Sequence, residues 1–288
     1  MDIKEYYIKQ ISRTNKKNYE NYVVCRILNR LNDISIKFIT QQPVIFKDIK
    51  RKALTDLYFP QIDLHIEIDE PYHKRQTEDD IKREADIITI TNHDIRRIDA
   101  SQSLKLIHQN IDKILDEIKK NIQKKKDDGE FISWDIEEEF NPQFYINKGY
   151  IDLKDKVAFR TAVDACNCFG HNYKHGGVWK GAVSHPIEKD TIIWFPHLYE
   201  NKYWNNNISN DGTEITEIKK VNNKEHINND ILNNYDKKII VFAHVKDSLN
   251  TTLYRFKGVF KLDVEETAKQ NIAIYKRIGT YIKTYSHQ

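Results

Sequence analysis

Residues 53–69 read "ALTDLYFPQIDLHIEID", two apolar, strand-like runs parted by a Pro-Gln turn signal. In the second run Ile62, Leu64, Ile66 and Ile68 alternate with Asp63, His65, Glu67 and Asp69, so a strand directs the aliphatic set to one face and the polar set to the other. Asp56 arrives on the neighbouring run. With 31% of the residues charged, carboxylates on a solvated face are the ordinary explanation of such a pattern. The alternative is a site built on rigid core strands. Three ionised carboxylates brought together raise one another's pKa unless a cation lies among them. A hard divalent ion such as Mg²⁺ prefers oxygen ligands of this kind, and it can activate water against a phosphate. Asp56, Glu67 and Asp69 together are the candidate cation site. His73, in "EPYH" just past the run, is a candidate acid, base or water-orienting group.

The chain is 288 residues long, enough for two domains of ordinary size. It has no apolar run near the ~20 residues that a membrane helix needs, and its first residues lack a signal-peptide core. Three cysteines, Cys25, Cys166 and Cys168, suit free thiols in a reducing compartment. A cytoplasmic protein without a membrane partner is expected. Residues 1–55 hold twelve Lys and Arg against five Asp and Glu, an excess that suits a phosphate backbone as well as a solvated helix face.

Along the first half the spacing predicts a helix through Tyr19, Val23, Ile27 and Leu31, then a β segment, "ISIKFITQQPVIF", interrupted by Pro43. After the two carboxylate-bearing runs, "TEDDIKREADIITIT" predicts a helix running into a strand at Ile87–Thr91, and "IRRID" another strand. A long amphipathic helix follows on Leu104, Ile107, Ile111, Ile114, Ile118 and Ile122. This is a compact α/β unit over residues 1–126, with a charged linker expected at 127–141. Residues 142–288 change character. "VAFRTAVDA" looks helical, "DTIIWFPHLY", "KKIIVFAHVKD" and "TTLYRFKGVFKLD" look like strands, two Asn-rich stretches look like loops, and "EETAKQNIAIYKRIGTYIKTY" looks like a final helix. An α+β domain around a curled sheet or small barrel is expected.

The loop "IIWFPHLYENKYWNNNISNDG" carries Trp194, Phe195, Tyr199 and Trp204 beside Asn201, Asn206, Asn207 and Asp211. An exposed loop seldom spends tryptophan beside several amides unless a ligand stacks there. Core packing for Trp194 and Phe195 and turn capping for the Asn and Asp residues are the competing readings. "NCFGHNYKHGGVWKG" offers a second wall through Asn167, Asn172, Tyr173 and Trp179. Cys166, Cys168, His171 and His175 spell C-x-C-x₂-H-x₃-H, tighter than zinc knuckles, so zinc is not expected there.

"LTDLYFPQIDLHIEIDEPYH" resembles the core of the PD-(D/E)xK nucleases in their Vsr-like branch, although no "PD" precedes it and Asp69 stands where that pattern has lysine. With "ISRTNKKNYENYVVCRI", "READII", "INKGYID", "NCFGHNYK", "WNNNISNDG" and "TLYRFKGVF", the likeness extends in order over nearly the whole chain. It is to the AbaSI-like modification-dependent restriction endonucleases. The resemblance implies a Vsr-like nuclease joined to an SRA-like (PUA-like) domain that flips and reads 5-hydroxymethylcytosine or its glucosylated form in double-stranded DNA. It implies Mg²⁺-assisted cleavage at a distance from the modified base by a homodimer. It makes Asp56, Glu67 and Asp69 the active-site carboxylates, with Asp56 and Glu67 as the metal ligands and His73 and Glu20 in support. Trp204, Tyr199, Trp194, Asn206, Asn207, Asp211, Asn172 and Tyr173 are the base-binding candidates. A non-cleaving reader of modified DNA and a Vsr-like repair nuclease are the alternatives; the second leaves the aromatic, Asn-rich half unexplained.

Overall fold

The computed structural model describes residues 1–46, 51–71, 87–89, 91–174, 181–246, 249 and 252–287. The chain forms two compact units, Met1–Glu139 and, for the most part, Phe140–Asp247 with Thr251–Gln288. No helix among the described residues is long and apolar enough to cross a membrane.

In the first unit, helices α1 (Ile3–Ser12) and α2 (Asn18–Leu31) precede strands β1 (Ile39–Phe46), β2 (Arg51–Phe59), β3 (Leu64–Asp69) and β4 (Asp94–Asp99), and helix α3 (Leu104–Asp127) follows. The sheet order is β1-β2-β3-β4, antiparallel except for the parallel pair β3–β4. Val23, Val24 and Ile27 of α2 and Ile107, Ile111, Ile114 and Ile118 of α3 pack with Leu57, Leu64, Ile66 and Ile68 of the sheet. Pro43 interrupts nothing, because β1 is an edge strand, where a missing N–H is tolerated. Leu104, expected on the buried stripe of α3, is exposed; the stripe begins at Ile107. Ile87–Thr91, expected as a strand, is helical at 87–89 and 91, with the Thr91 hydroxyl donating to the Ile87 carbonyl four residues back. Its apolar run is too short for periodicity to separate helix from strand. Residues 127–139, where a linker was expected, contribute Trp134 to this unit's core, its indole N–H donating to Glu139 at 3.0 Å.

The second unit adds α4 (Pro142–Lys148), β5 (Tyr150–Asp152), β6 (Ala158–Phe159), α5 (Ala162–Asn167), β7 (Ala182–Ser184), β8 (Thr191–Trp194), β9 (Asn207–Ile208), β10 (Glu214–Glu217) and α6 (Asn223–Asn234). It ends with β11 (Lys238–Lys246), β12 (Thr252–Leu262), α7 (Val264–Gln270), β13 (Ala273–Gly279) and β14 (Tyr281–Lys283). Its large sheet runs β7-β8-β11-β12-β13-β10-β9, with β6 also on β12. Irregularities at Val241/Phe242 and Val259/Phe260 bend it, as bulges do. Gly258 beside the second has φ +110°, and a Cβ there would lie 2.8 Å from the Gly279 carbonyl oxygen, so only glycine lets the strands approach. The curled α+β architecture is as expected, but three segments are not. The Asn-rich stretch 223–234 is helix α6, which buries Ile227. The expected final helix stops at Gln270, where left-handed Asn271 ends it, and the chain turns into β13 and β14. In "AIYKRIG" the buried Ala273, Ile274 and Tyr275 pair with β10 and β12, so sheet contacts override a weak helical pattern. "VAFRTAVDA" likewise divides into β6 and α5, with the Thr161 hydroxyl capping the helix at Asp164 N–H.

Replacing fully buried Ile111 by alanine is expected to destabilise the first unit by about 2–5 kcal/mol, whereas Leu104→Ala at the exposed end of α3 changes stability by less than about 0.5 kcal/mol. Urea unfolding followed by circular dichroism distinguishes the two.

Candidate active site and base cavity

Asp56 precedes Leu57 on β2, and Leu57 pairs with Ile66 of the antiparallel β3. Past that pair the Asp56 carboxylate replaces the strand ladder, one oxygen accepting the Ile68 N–H at 2.8 Å. Glu67, between Ile66 and Ile68, is thereby brought beside it on the neighbouring strand, and both carboxylates are buried at 8% exposure. A third carboxylate comes from the first turn of α2. Glu20 is 2% exposed, and its Oε1 accepts the Gln41 amide at 2.7 Å, while the same amide nitrogen donates to Asp56 at 3.0 Å. Gln41 lies on β1 with φ +51°, a left-handed conformation rare for a side chain of this size, between the pairs Thr40–Leu57 and Gln42–Thr55. Lys17, just before α2, places its ammonium 2.8 Å from Glu20 and 3.7 Å from Asp56.

Burial, and next the charge of Asp56, push the Glu20 carboxyl up to about 7 against the pull of Lys17 and Gln41. In this cluster burial first, and then Asp56, disfavour the ionised form of Glu20, and a cation would offset both. Carboxylate oxygens are the donors that a hard divalent cation prefers, and Glu20, Asp56 and Glu67 are the residues that would hold one. The Gln41 amide nitrogen lies between Glu20 and Asp56 here, and the three carboxylates are not gathered within 4.8 Å of one another. Asp69 is set apart: it is half-exposed and forms a two-pronged ion pair with Arg97 of β4, with Arg97 Nε 3.0 Å from Oδ2. His73 lies outside the described residues. His65, expected on the polar face, is fully buried, stacked 4.2 Å from the Tyr58 ring and bonded to Thr55 at 2.8 Å; burial, and then His93, lower its pKa to about 3.

In the second unit a cavity of about 650 Å³ is bounded by Trp194, Trp204, Asn201, Asn206, Glu217, His226, Asp230 and Tyr275, among others. Asn206 is 2% exposed; its Nδ2 donates to Glu217 at 3.1 Å and its Oδ1 has no hydrogen-bond partner. Glu217 also accepts from His226 at 3.0 Å, His226 Nε2 lies 3.3 Å from Asp230, and the Tyr275 hydroxyl donates to Asp230 at 2.6 Å. The ligand atoms of Glu217, His226 and Asp230 lie within 4.8 Å of one another, but these hydrogen bonds already account for the arrangement. Burial raises the Glu217 carboxyl, though its bond from His226 opposes the rise. Burial works against the His226 imidazolium, yet the two carboxylates hold its pKa above the ordinary value. The half-buried Trp204 indole stands edge-on to the His226 ring at 4.9 Å, and the Trp194 and Tyr275 rings are 4.7 Å apart.

Trp194, Trp204 and Asn206 thus meet at one cavity, with Phe195 and Asn201. The other base-binding candidates are absent from its lining. The Tyr199 hydroxyl lies 3.0 Å from His197 and 3.3 Å from His244, and exposed Asn207 donates to Asn205. Asp211 closes the turn before Gly212, where bonds from Ser209 and Thr213 lower its pKa to about 2. Tyr173 stacks on His171 at 4.5 Å, with exposed Asn172 between them in sequence; Trp179 lies outside the described residues. Cys166 and Cys168 are fully buried among Phe169, Phe242 and Phe159; burial pushes the Cys166 thiol up to about 12. Sequence reasoning missed Gln41 and Lys17, which carry no local signal. It also missed Glu217, although "EITE" places Ile215 and Glu217 on one face of a strand, a carboxylate where a core residue belongs.

Residues 4–126 match the family described as "Restriction endonuclease PvuRts1 I-like, N-terminal", and residues 144–284 match "SRA: SET and RING associated domain". Among curated proteins there is no match. A solved structure titled "The 5-Hydroxymethylcytosine-Specific Restriction Enzyme AbaSI" shares 42% identity over 99% of both chains, with a TM-score of 0.65. With its N-terminal nuclease unit, its SRA unit and this end-to-end identity, the chain belongs to the AbaSI family of restriction endonucleases.

Proposed function

We propose that this chain binds double-stranded DNA containing 5-hydroxymethylcytosine or its glucosylated form, takes the modified base into the cavity of the SRA unit, and hydrolyses phosphodiester bonds at a distance from it. The observation that carries the nuclease half is the pair of buried carboxylates, Glu20 and Asp56, sharing one amide nitrogen of Gln41 at 2.7 and 3.0 Å beside Glu67. A scaffold gathers buried anions in this way where a cation and a phosphate are to meet. A divalent ion bound there, Mg²⁺ in this reading, supplies the acidity that turns water into a nucleophile at neutral pH. The chain's own part is orientation: Ile68 N–H and Gln41 fix both oxygens of Asp56 before substrate arrives. Asp69, bound to Arg97, supports the strand end that carries Glu67. Cleavage leaves a 5′-phosphate and a 3′-hydroxyl, and a double-strand break takes two nuclease units, hence a homodimer.

The reader half rests on Asn206. Because Nδ2 is committed to Glu217, the buried Oδ1 is left as an acceptor that lacks a donor, on a residue that helps to line the cavity. The exocyclic amino group of cytosine supplies one, and the corresponding carbonyl of a uracil base does not. Trp204 and Trp194 offer flat faces at the same cavity, whose volume falls within the range of small-ligand sites.

Three otherwise identical duplexes carrying cytosine, 5-hydroxymethylcytosine or glucosylated 5-hydroxymethylcytosine, incubated with Mg²⁺, test both halves. Cutting confined to the modified duplexes and abolished by chelation is expected, with Asp56→Asn slowing it at least about a hundredfold. Binding of the modified duplexes without any cut removes the nuclease assignment; equal cutting of all three removes the reader.

Asn206→Ala is expected to weaken binding of a hydroxymethylcytosine duplex about ten- to a hundredfold, by loss of one buried hydrogen bond. Wild-type protein should prefer it to a hydroxymethyluracil duplex by a comparable factor, and equal fluorescence-anisotropy titrations for the two bases would remove Asn206 from recognition.

A further inference from the structure

The PD-(D/E)xK pattern places a lysine two residues after the strand glutamate, and this chain has Asp69 there, committed to Arg97 through two hydrogen bonds. A positive charge is therefore missing from the strand at the place where a scissile phosphate meets the carboxylates. The described fold brings one in from another direction. Lys17 lies outside the sheet, at the turn between α1 and α2, yet its Nζ is 2.8 Å from Glu20, 3.3 Å from the Gln41 side-chain oxygen and 3.7 Å from Asp56.

The backbone holds it there. The Lys17 N–H donates to Thr14 at 2.9 Å and the Lys17 carbonyl accepts from Asn21 at 2.8 Å, closing the first turn of α2. The Thr14 side chain, wholly buried, accepts from the Asn21 amide at 2.7 Å and locks that turn to the helix. Only the four-carbon stem of Lys17 is free to move. Its side chain is 43% exposed, whereas that of Glu20 is 2% exposed, so the ammonium stands on the solvent side of the buried carboxylates. An entering phosphate meets the lysine first.

We propose that Lys17 is a further catalytic residue of the nuclease unit, its ammonium binding a non-bridging oxygen of the scissile phosphate in place of the lysine that the strand lacks. The inference rests on the nuclease reading given above. In the reaction the water oxygen bonds to phosphorus as the phosphorus–O3′ bond breaks, the water's proton passes to solvent, and O3′ takes a proton from solvent. Lys17 transfers no proton. It offsets the charge that builds on the phosphoryl oxygens, as preorganised cations do in phosphoryl transfer. A lysine serves this purpose as a point charge on a flexible stem. A purely structural pairing with the buried Glu20 carboxylate is the competing account, and loss of such a partner destabilises the fold, which the thermal midpoint reads.

The test uses full-length wild type, Lys17→Ala, Lys17→Met and Lys17→Arg on a hydroxymethylcytosine duplex in single turnover, with enzyme and Mg²⁺ saturating. Binding of the same duplex with Ca²⁺ in place of Mg²⁺ and the thermal midpoint are measured in parallel. A hundredfold or greater loss in the cleavage rate constant for Ala and Met is expected, with partial recovery in Arg, DNA binding within threefold of wild type and unchanged unfolding. Cleavage by Lys17→Ala within threefold of wild type overturns the proposal and leaves the nuclease reading standing. So does a loss in Ala and Met that tracks a lowered thermal midpoint. A wild-type protein that binds the duplex and cuts no DNA sinks both together.

Discussion

A single side-chain amide organises the first unit's chemistry. Carboxylates buried a few ångströms apart repel, and each costs desolvation energy besides. The Gln41 nitrogen is the shared donor that keeps Glu20 and Asp56 together, and its backbone is bent into the left-handed region at φ +51°. Three elements distant in sequence are tied at that point: the start of α2, the edge strand β1 and the central strand β2. The core beneath them, from Val24 on the helix to Ile66 on the strand, is what makes such a placement affordable.

The second unit meets the same problem with the opposite solution. There the buried carboxylate, Glu217, is satisfied by hydrogen bonds with Asn206 and His226, and His226 is in turn steadied by Asp230. A chain of contacts running to the Tyr275 hydroxyl fixes the orientation of one amide at the cavity wall. Orientation is information: an amide free to flip presents donor or acceptor indifferently, whereas a clamped one presents a single sign. One unit concentrates charge, and the other converts charge into a fixed dipole.

Much of this was legible from short-range pattern. The alternation in "IDLHIEID" marked β3, and the apolar stripe from Ile107 to Ile122 marked α3, because each repeats the period of its element over enough residues. Asp56 and Glu67 stood out as carboxylates between core residues, and Trp204 and Asn206 as an aromatic and an amide in one loop. Elements decided by tertiary contact were not legible. Asparagine is a poor helix former, so α6 did not show itself, and "AIYKRIG" became a strand because partners lie on both sides of it. Gln41 and Lys17 escaped for a related reason. Their roles depend on where distant backbone puts them, and neither residue type is unusual in its own neighbourhood. Asp69 carries a contact that the alternation does not announce, an ion pair with Arg97 on the adjoining strand.

The distribution of the three thiols has a practical bearing on chemical labelling. Cys166 and Cys168 sit in the aromatic core of the SRA unit with their thiols held in the unreactive, protonated form by burial. Cys25 is partly exposed, on α2 little more than a turn beyond Glu20, and its thiol donates to Asn21. A maleimide or nitroxide added to the folded protein would therefore settle on the nuclease unit and leave the base cavity unmarked. It would furnish a spectroscopic probe on the helix that carries a catalytic candidate, without any cysteine having to be removed.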